Sequence, residues 1–121
     1  EPVIQNGKLK LGDLDAQRDW GYSPDYVEAM WMMLQLEKAD DFVIATGETH
    51  SVEDFAKEAF AAVGLDYKDY IVSDESFIPP VQTGPLTGDY SRAKKVLGWK
   101  PKTSFKELVR IMVHADLAKF S

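Results

Sequence analysis

The sequence predicts a small α/β domain with helices covering a short sheet, and three observations point there. Runs of strand length, alternating or continuously apolar, are interleaved with segments whose apolar residues recur at helical spacing. Helix-starting and helix-stopping residues bracket those segments. The length of 121 residues, 45% hydrophobic and 28% charged, suits one globular core. It is short for an enzyme that must hold both a cofactor and a substrate.

Lys8-Leu9-Lys10-Leu11 alternates at period two after the Asn6-Gly7 turn and reads as a half-buried strand, ended by Gly12-Asp13. Gln17 to Trp20 is expected to be extended and broken by Gly21. Ser23-Pro24-Asp25 is a helix entry, with Ser23 as N-cap, proline at the first helical position and Asp25 toward the positive end of the helix dipole. This helix should run to about Lys38, with Val27, Met30, Trp31 and Leu34 as its core stripe. Phe42-Val43-Ile44-Ala45-Thr46 predicts a strand buried on both faces.

Ser51 to Asp54 has capping-box spacing, and Val52, Phe55, Ala56, Ala59, Phe60 and Val63 mark a second helix closed by Gly64. Tyr70-Ile71-Val72 follows as a short strand. Prolines at 79, 80 and 85 and glycines at 84 and 88 make residues 74–88 a loop of about 15 residues. Asp89 or Ser91 then caps a short helix with Ala93, Val96 and Leu97 inward, ending at Gly98 with Trp99 packed just beyond. A last helix starts at Thr103 or Ser104, where Ser104 and Glu107 have capping-box spacing, and Phe105, Leu108, Ile111, Met112 and Ala115 give its apolar face.

Composition excludes several function classes. The absence of cysteine removes disulfides, thiolate catalysis and cysteine metal sites, and it suits a reducing compartment, so a cytoplasmic location is expected. No apolar run approaches the ~18 to 20 residues of a membrane span, and no signal-like segment opens the chain. A net charge of -6 argues against nucleic-acid or membrane-surface partners, which need a basic face. The chain opens on Glu1 and a polar turn at Gln5-Asn6-Gly7, so a piece of a longer protein is expected.

Motifs narrow the chemistry further. Neither a G-x-G-x-x-G turn, nor a phosphate-binding G-x-x-x-x-G-K-[ST] loop, nor H-E-x-x-H occurs. Tyr90-Ser91-Arg92-Ala93-Lys94 contains Tyr-x-x-x-Lys, a pairing that lowers a tyrosine's pKa for acid-base work. The cofactor fold that such a pair serves is missing around it, so ordinary helix-surface spacing explains it. His50 and His114 lie far apart and form no zinc cluster. Asp13, Asp15 and Asp19 lack the glycine and bidentate glutamate of a calcium loop and read as a solvated acidic turn. No catalytic, cofactor-binding or metal-ligating residue is expected.

Arg18 is the residue on which function turns. A guanidinium at a strand end offers five donors in a rigid fork that suits phosphate or carboxylate oxygens. The alternative is that Arg18 pairs with Asp19 or Asp15 and merely fixes the turn. Spacing leaves both open.

The stretches Gly12-Asp13-Leu14-Asp15-Ala16-Gln17-Arg18-Asp19-Trp20-Gly21, Asp25-Tyr26-Val27-Glu28-Ala29-Met30-Trp31, Phe42 to Val52, and Gly88-Asp89-Tyr90 through Gly98-Trp99-Lys100-Pro101 together resemble the GDP-mannose 4,6-dehydratase family of extended short-chain dehydrogenases. The resemblance spans nearly the whole chain, in order, and implies a C-terminal substrate-binding domain over residues 1–121. It implies that an N-terminal Rossmann domain, not represented in these residues, carries NADP and the catalytic residues. In such an enzyme C4 of GDP-mannose is oxidised by NADP, water is lost across C5 and C6, and the hydride returns to C6, giving GDP-4-keto-6-deoxymannose.

By the same resemblance Arg18 stands where the family has an arginine near the diphosphate, and Leu11, Gly12 and Asp13 are assigned to substrate binding. Partners implied are GDP-mannose or a related nucleotide sugar, the Rossmann domain, and a homo-oligomeric copy. Two departures bear on guanine selectivity. Pro79-Pro80-Val81-Gln82 stands where Arg-Pro-x-Glu is usual, and Asp13 where asparagine is common. The alternatives are the substrate domain of another nucleotide-sugar epimerase or reductase, or a non-catalytic interaction module whose apolar helix faces favour association.

Overall fold

The computed structural model describes residues 4–5, 7–78, 84 and 86–120. Five short strands and four helices follow in the order β1 Ile4–Gln5, β2 Lys8–Leu11, β3 Gln17–Arg18, α1 Ser23–Leu34, β4 His50–Ser51, α2 Val52–Ala61, β5 Ile71–Ser73, α3 Ser91–Leu97 and α4 Phe105–Phe120. β2 is the middle strand of a three-stranded sheet, antiparallel to β1 and parallel to β5, with Leu9 opposite Ile71 and Leu11 opposite Ser73. β3 and β4 form a separate antiparallel pair in which Arg18 faces His50. This is the expected α/β class, built from smaller strands than expected.

Two packed regions position everything else. In the first, Ala29, Ala93 and Trp99 are buried, with Tyr26, Met33, Phe42, Ile44 and Tyr90 around them. In the second, Phe105, Leu108 and Val109 of α4 are buried near α2. Phe105 stacks on His50 with centroids 3.9 Å apart, and Phe55 lies 5.0 Å from Trp20. Both expected capping boxes form: Asp54 N–H donates to Ser51 Oγ, and Glu107 N–H to Ser104 Oγ, each with the reciprocal carboxylate bond. Gly98 ends α3 with φ +74°, a conformation natural only to glycine, which lets Trp99 turn back into the core.

Helix α1 corrects the largest expectation. Its stripe of Val27, Met30, Trp31 and Leu34 faces outward, Trp31 61% and Leu34 80% exposed, and the helix ends at Leu34, short of Lys38. Asp25, Ala29 and Met33, four residues apart, turn inward together with Tyr26. The reason is polar. Asp25 is buried, and its Oδ2 accepts the backbone N–H of Lys102 at 3.2 Å and of Thr103 at 3.1 Å, while its carbonyl accepts the Trp99 indole N–H at 2.9 Å. This tether fixes the rotation of α1 against α3 and the Trp99–Thr103 segment. Asp25 is a tertiary anchor in addition to a first-turn acid, and Tyr22, not Ser23, occupies the N-cap position.

Smaller corrections share one cause, the lack of a covering element. Residues 42–46 form no strand: Val43 is exposed and Ala45 buried, and the segment is held by side-chain bonds to Thr46. Val96 is exposed on α3, and on α4 Ile111, Met112 and Ala115 are exposed while Val109 takes the buried position. Val63 is likewise exposed past the end of α2. Within the expected loop, Glu75–Phe77 forms a 3-10 turn. Pro79 to Gln82 lie outside the described residues.

Candidate functional site

The site grows from the two-residue strand β3. Gln17 and Arg18 pair with Ser51 and His50, and the chain then bends into Asp19-Trp20-Gly21 before α1 begins. Trp20 anchors the bend: its indole N–H donates to the His50 carbonyl at 2.9 Å and its ring packs on Phe55. Gly21 lets the Tyr26 ring lie close against the bend: a Cβ there would stand 1.8 Å from the Tyr26 hydroxyl, and the ring would have to move.

Asp19 accepts four hydrogen bonds at this bend. Its Oδ1 takes the backbone N–H of Thr46 at 2.9 Å and the Thr46 hydroxyl at 2.6 Å, and its Oδ2 takes the N–H of Gly47 at 3.0 Å and of Gly88 at 3.2 Å. A carboxylate has about four lone-pair sites, so the group is saturated by neutral donors. Gly88 fits only without a side chain, since a Cβ there would lie 2.2 Å from Ala45 Cβ.

Arg18 is exposed, and the one side-chain hydrogen bond it makes to a described residue runs from a guanidinium nitrogen to the carbonyl of Gln17 at 2.6 Å. Among the described residues it pairs with neither Asp19 nor Asp15, so the local ion-pair reading does not describe this structure. It borders an open cleft of roughly 450 Å³ lined also by Asp19, Tyr26, residues 43–45 and residues 86–88. The Tyr26 phenol in that cleft is held above its ordinary pKa of 10.0, chiefly by burial and then by the negative charges of Asp19 and Asp25, and stays neutral. The cleft thus presents a permanent cation beside apolar and hydroxyl surface, with the hydrogen-bonded Asp19 carboxylate on its border.

Leu11, Gly12 and Asp13 do not line this cleft. They close the carboxyl end of β2: the Asp74 N–H donates to the Leu11 carbonyl at 2.7 Å, the Ser73 hydroxyl to the Gly12 carbonyl at 2.8 Å, and Asp13 Oδ1 accepts the Asp15 N–H at 2.9 Å. A second recess, between β4 and the start of α4, contains His50, whose Nε2 is buried without a hydrogen-bond partner and lies 3.6 Å from Glu48 Oε2. The lysine on its rim, Lys102, is bonded to both oxygens of Glu28. Sequence reasoning singled out Arg18 but did not group Asp19, Thr46 and Gly88 as a hydrogen-bonded unit. Their partners stand 27 and 69 residues from Asp19, so no local spacing signals them.

Comparison with known proteins gives the family and the fold relatives of the chain. The model of the family described as GDP-mannose 4,6 dehydratase matches residues 3–112. The chain is 54% identical over 110 residues to GDP-mannose 4,6 dehydratase 2 of Arabidopsis thaliana, covering 91% of the chain and 30% of that protein. It is 44% identical over 126 residues to the GDP-mannose 4,6 dehydratase of Homo sapiens, covering 90% of the chain and 34% of that protein. It therefore spans about a third of the length of these relatives. Among solved structures, it is similar in fold to RMD from Pseudomonas aeruginosa complexed with NADPH, with TM-score 0.82 and 20% identity over 95% of the chain and 37% of that one. A UDP-glucose 4-epimerase of Thermotoga maritima, solved with UDP-glucose, matches with TM-score 0.79 and 27% identity over 94% of the chain and 36% of that one. By the family model, which matches residues 3–112 of the 121, the chain belongs to the GDP-mannose 4,6-dehydratase family.

Proposed function

We propose that this chain is the nucleotide-sugar-binding domain of a GDP-mannose 4,6-dehydratase, with Arg18 gripping the diphosphate of GDP-mannose. The observation that carries the proposal is an exposed guanidinium, without an acidic partner among the described residues, bordering an open cleft. Leu11, Gly12 and Asp13 belong to this reading as the nucleotide-side turn. They sit with Ser73 at the carboxyl ends of the parallel strands β2 and β5, where open α/β sheets place their ligands.

The domain supplies binding energy at the nucleotide end, which orients the hexose for chemistry carried out elsewhere. The sequence has no glycine-rich dinucleotide turn, so in this reading NADP sits on the portion that relatives carry outside the matched third. Bound there, NADP would supply the hydride-transfer chemistry at C4 and C6 of the hexose. The residues described here hold the nucleotide and move no proton. The outward stripe of α1, Val27, Met30, Trp31 and Leu34, is the surface on which that dinucleotide domain would pack, since so large an apolar patch needs cover. The enzyme would be a cytoplasmic lyase of nucleotide-sugar metabolism.

Calorimetric titration of GDP, GDP-mannose and UDP-glucose, with Arg18→Ala as the comparison, tests the reading. A charge-assisted bond of about 1.5–3 kcal/mol predicts that Arg18→Ala weakens GDP-mannose binding by roughly 10- to 100-fold. Equal binding by wild type and Arg18→Ala would overturn it. Tighter binding of UDP-glucose than GDP-mannose would instead favour the epimerase alternative.

A further inference from the structure

Asp19 presents a problem that the binding role of Arg18 does not solve. It places a full negative charge on the border of a cleft proposed to hold a diphosphate, next in sequence to the cation that would bind it. Electrostatics alone makes such a carboxylate unfavourable for anion affinity. Yet its two oxygens collect the N–H groups of Thr46, Gly47 and Gly88 and the Thr46 hydroxyl, joining to the end of β3 the two segments whose residues 43–45 and 86–88 line the cleft.

We propose that Asp19 is a positioning residue for the anion grip: by binding residues 46–47 and Gly88 to the end of β3, it builds the cleft walls and leaves Arg18 free for the ligand. This rests on the reading of Arg18 as the diphosphate-binding cation. Two physical points support it. A carboxylate whose four acceptor sites are taken by neutral donors has none left for a direct hydrogen bond from the neighbouring guanidinium. The walls it joins have no β ladder of their own: residues 43–46 and 86–90 carry no regular secondary structure, and Gly88 sits against Ala45 and Asp19 with no room for a side chain. Without the Asp19 bonds those segments have no other hydrogen-bonded link to β3 among the described residues.

The sign of one substitution separates positioning from passive repulsion. Asp19→Asn removes the charge, and because every group facing Asp19 is a donor, the amide NH₂ confronts one pair of them. If Asp19 only repels the ligand, GDP-mannose binds Asp19→Asn more tightly than wild type. If it positions the grip, binding weakens by about tenfold, and the loss is absent on an Arg18→Ala background because Asp19 acts through Arg18. Calorimetric titration of GDP-mannose against the full chain, wild type, each single variant and the double variant gives the cycle.

Tighter or unchanged binding by Asp19→Asn with a clear loss in Arg18→Ala would overturn the proposal and leave the Arg18 reading standing. Losses that simply add in the double variant would also overturn it, since Asp19 would then act independently. No effect of Arg18→Ala would remove the reading and the proposal together. Should Asp19→Asn not fold, Thr46→Val deletes the 2.6 Å hydroxyl bond to Asp19, together with the 3.3 Å contacts of the same hydroxyl to the Glu48 backbone, and leaves the three other bonds to Asp19 in place. It is expected to weaken binding by a few-fold in wild type and not at all in Arg18→Ala, and equal weakening in both backgrounds would overturn the proposal.

Discussion

Replacing Asp25 by alanine measures what holds α1 in place. The carboxylate lies in the first turn, where attraction to the helix dipole alone is worth about 0.3–1 kcal/mol. The structure gives it a larger task, because Oδ2 is the acceptor for two backbone N–H groups, of Lys102 and Thr103, at 3.2 and 3.1 Å. Hydrogen bonds to a charged acceptor contribute about 1.5–3 kcal/mol each when buried, and both donors here are partly buried, so the lower end applies and Asp25→Ala should cost about 3 kcal/mol. For a chain of this size that is a fall in Tm of roughly 12 °C. Both bonds end on one oxygen, so Asp25→Asn, with its amide oxygen in that place, should lose only the charge assistance, about 1 kcal/mol. Urea unfolding followed by tryptophan fluorescence reports the loss directly, since Trp99 is 1% exposed and its indole bonds to the Asp25 carbonyl. A cost below about 1 kcal/mol for Asp25→Ala would fit a dipole interaction only, and would refute the tether.

Two further outcomes follow from the same coordinates. Trp31→Ala in this chain should change stability by less than about 0.5 kcal/mol, as for an exposed residue, where a buried tryptophan would cost about 3–5; thermal melts of the chain decide, and a large loss would mean that α1 is rotated from its position here. Tyr26, whose pKa is raised by burial and by Asp19 and Asp25, stays protonated longer in the folded state than its unfolded value of 10.0. Its contribution to stability is therefore complete below pH 10 and is lost as pH rises through the folded value. Stability measured against pH should show an alkaline decline that is smaller in Tyr26→Phe, and identical declines would contradict the assignment.

What the sequence determined by itself is local. Ser51 with Asp54 and Ser104 with Glu107 satisfy orphan N–H groups three residues away, so both helix starts were legible from spacing. The alternation of Lys8 to Leu11 and the glycine stop at Gly98 were legible because they too are local signals. Which face of α1 is buried was not, because apolar periodicity marks a stripe that will be covered by something without saying by what. Here Val27, Met30, Trp31 and Leu34 stay outside while a carboxylate, Asp25, goes in. Nor could spacing decide between Arg18 as ion-pair partner and Arg18 as free cation. That depended on Asp19 finding Thr46, Gly47 and Gly88, up to 69 residues along the chain, and tertiary structure alone brings such donors to one carboxylate. Short-range hydrogen bonds are written in residue order, whereas helix rotation and the satisfaction of a charge depend on groups that only folding brings together.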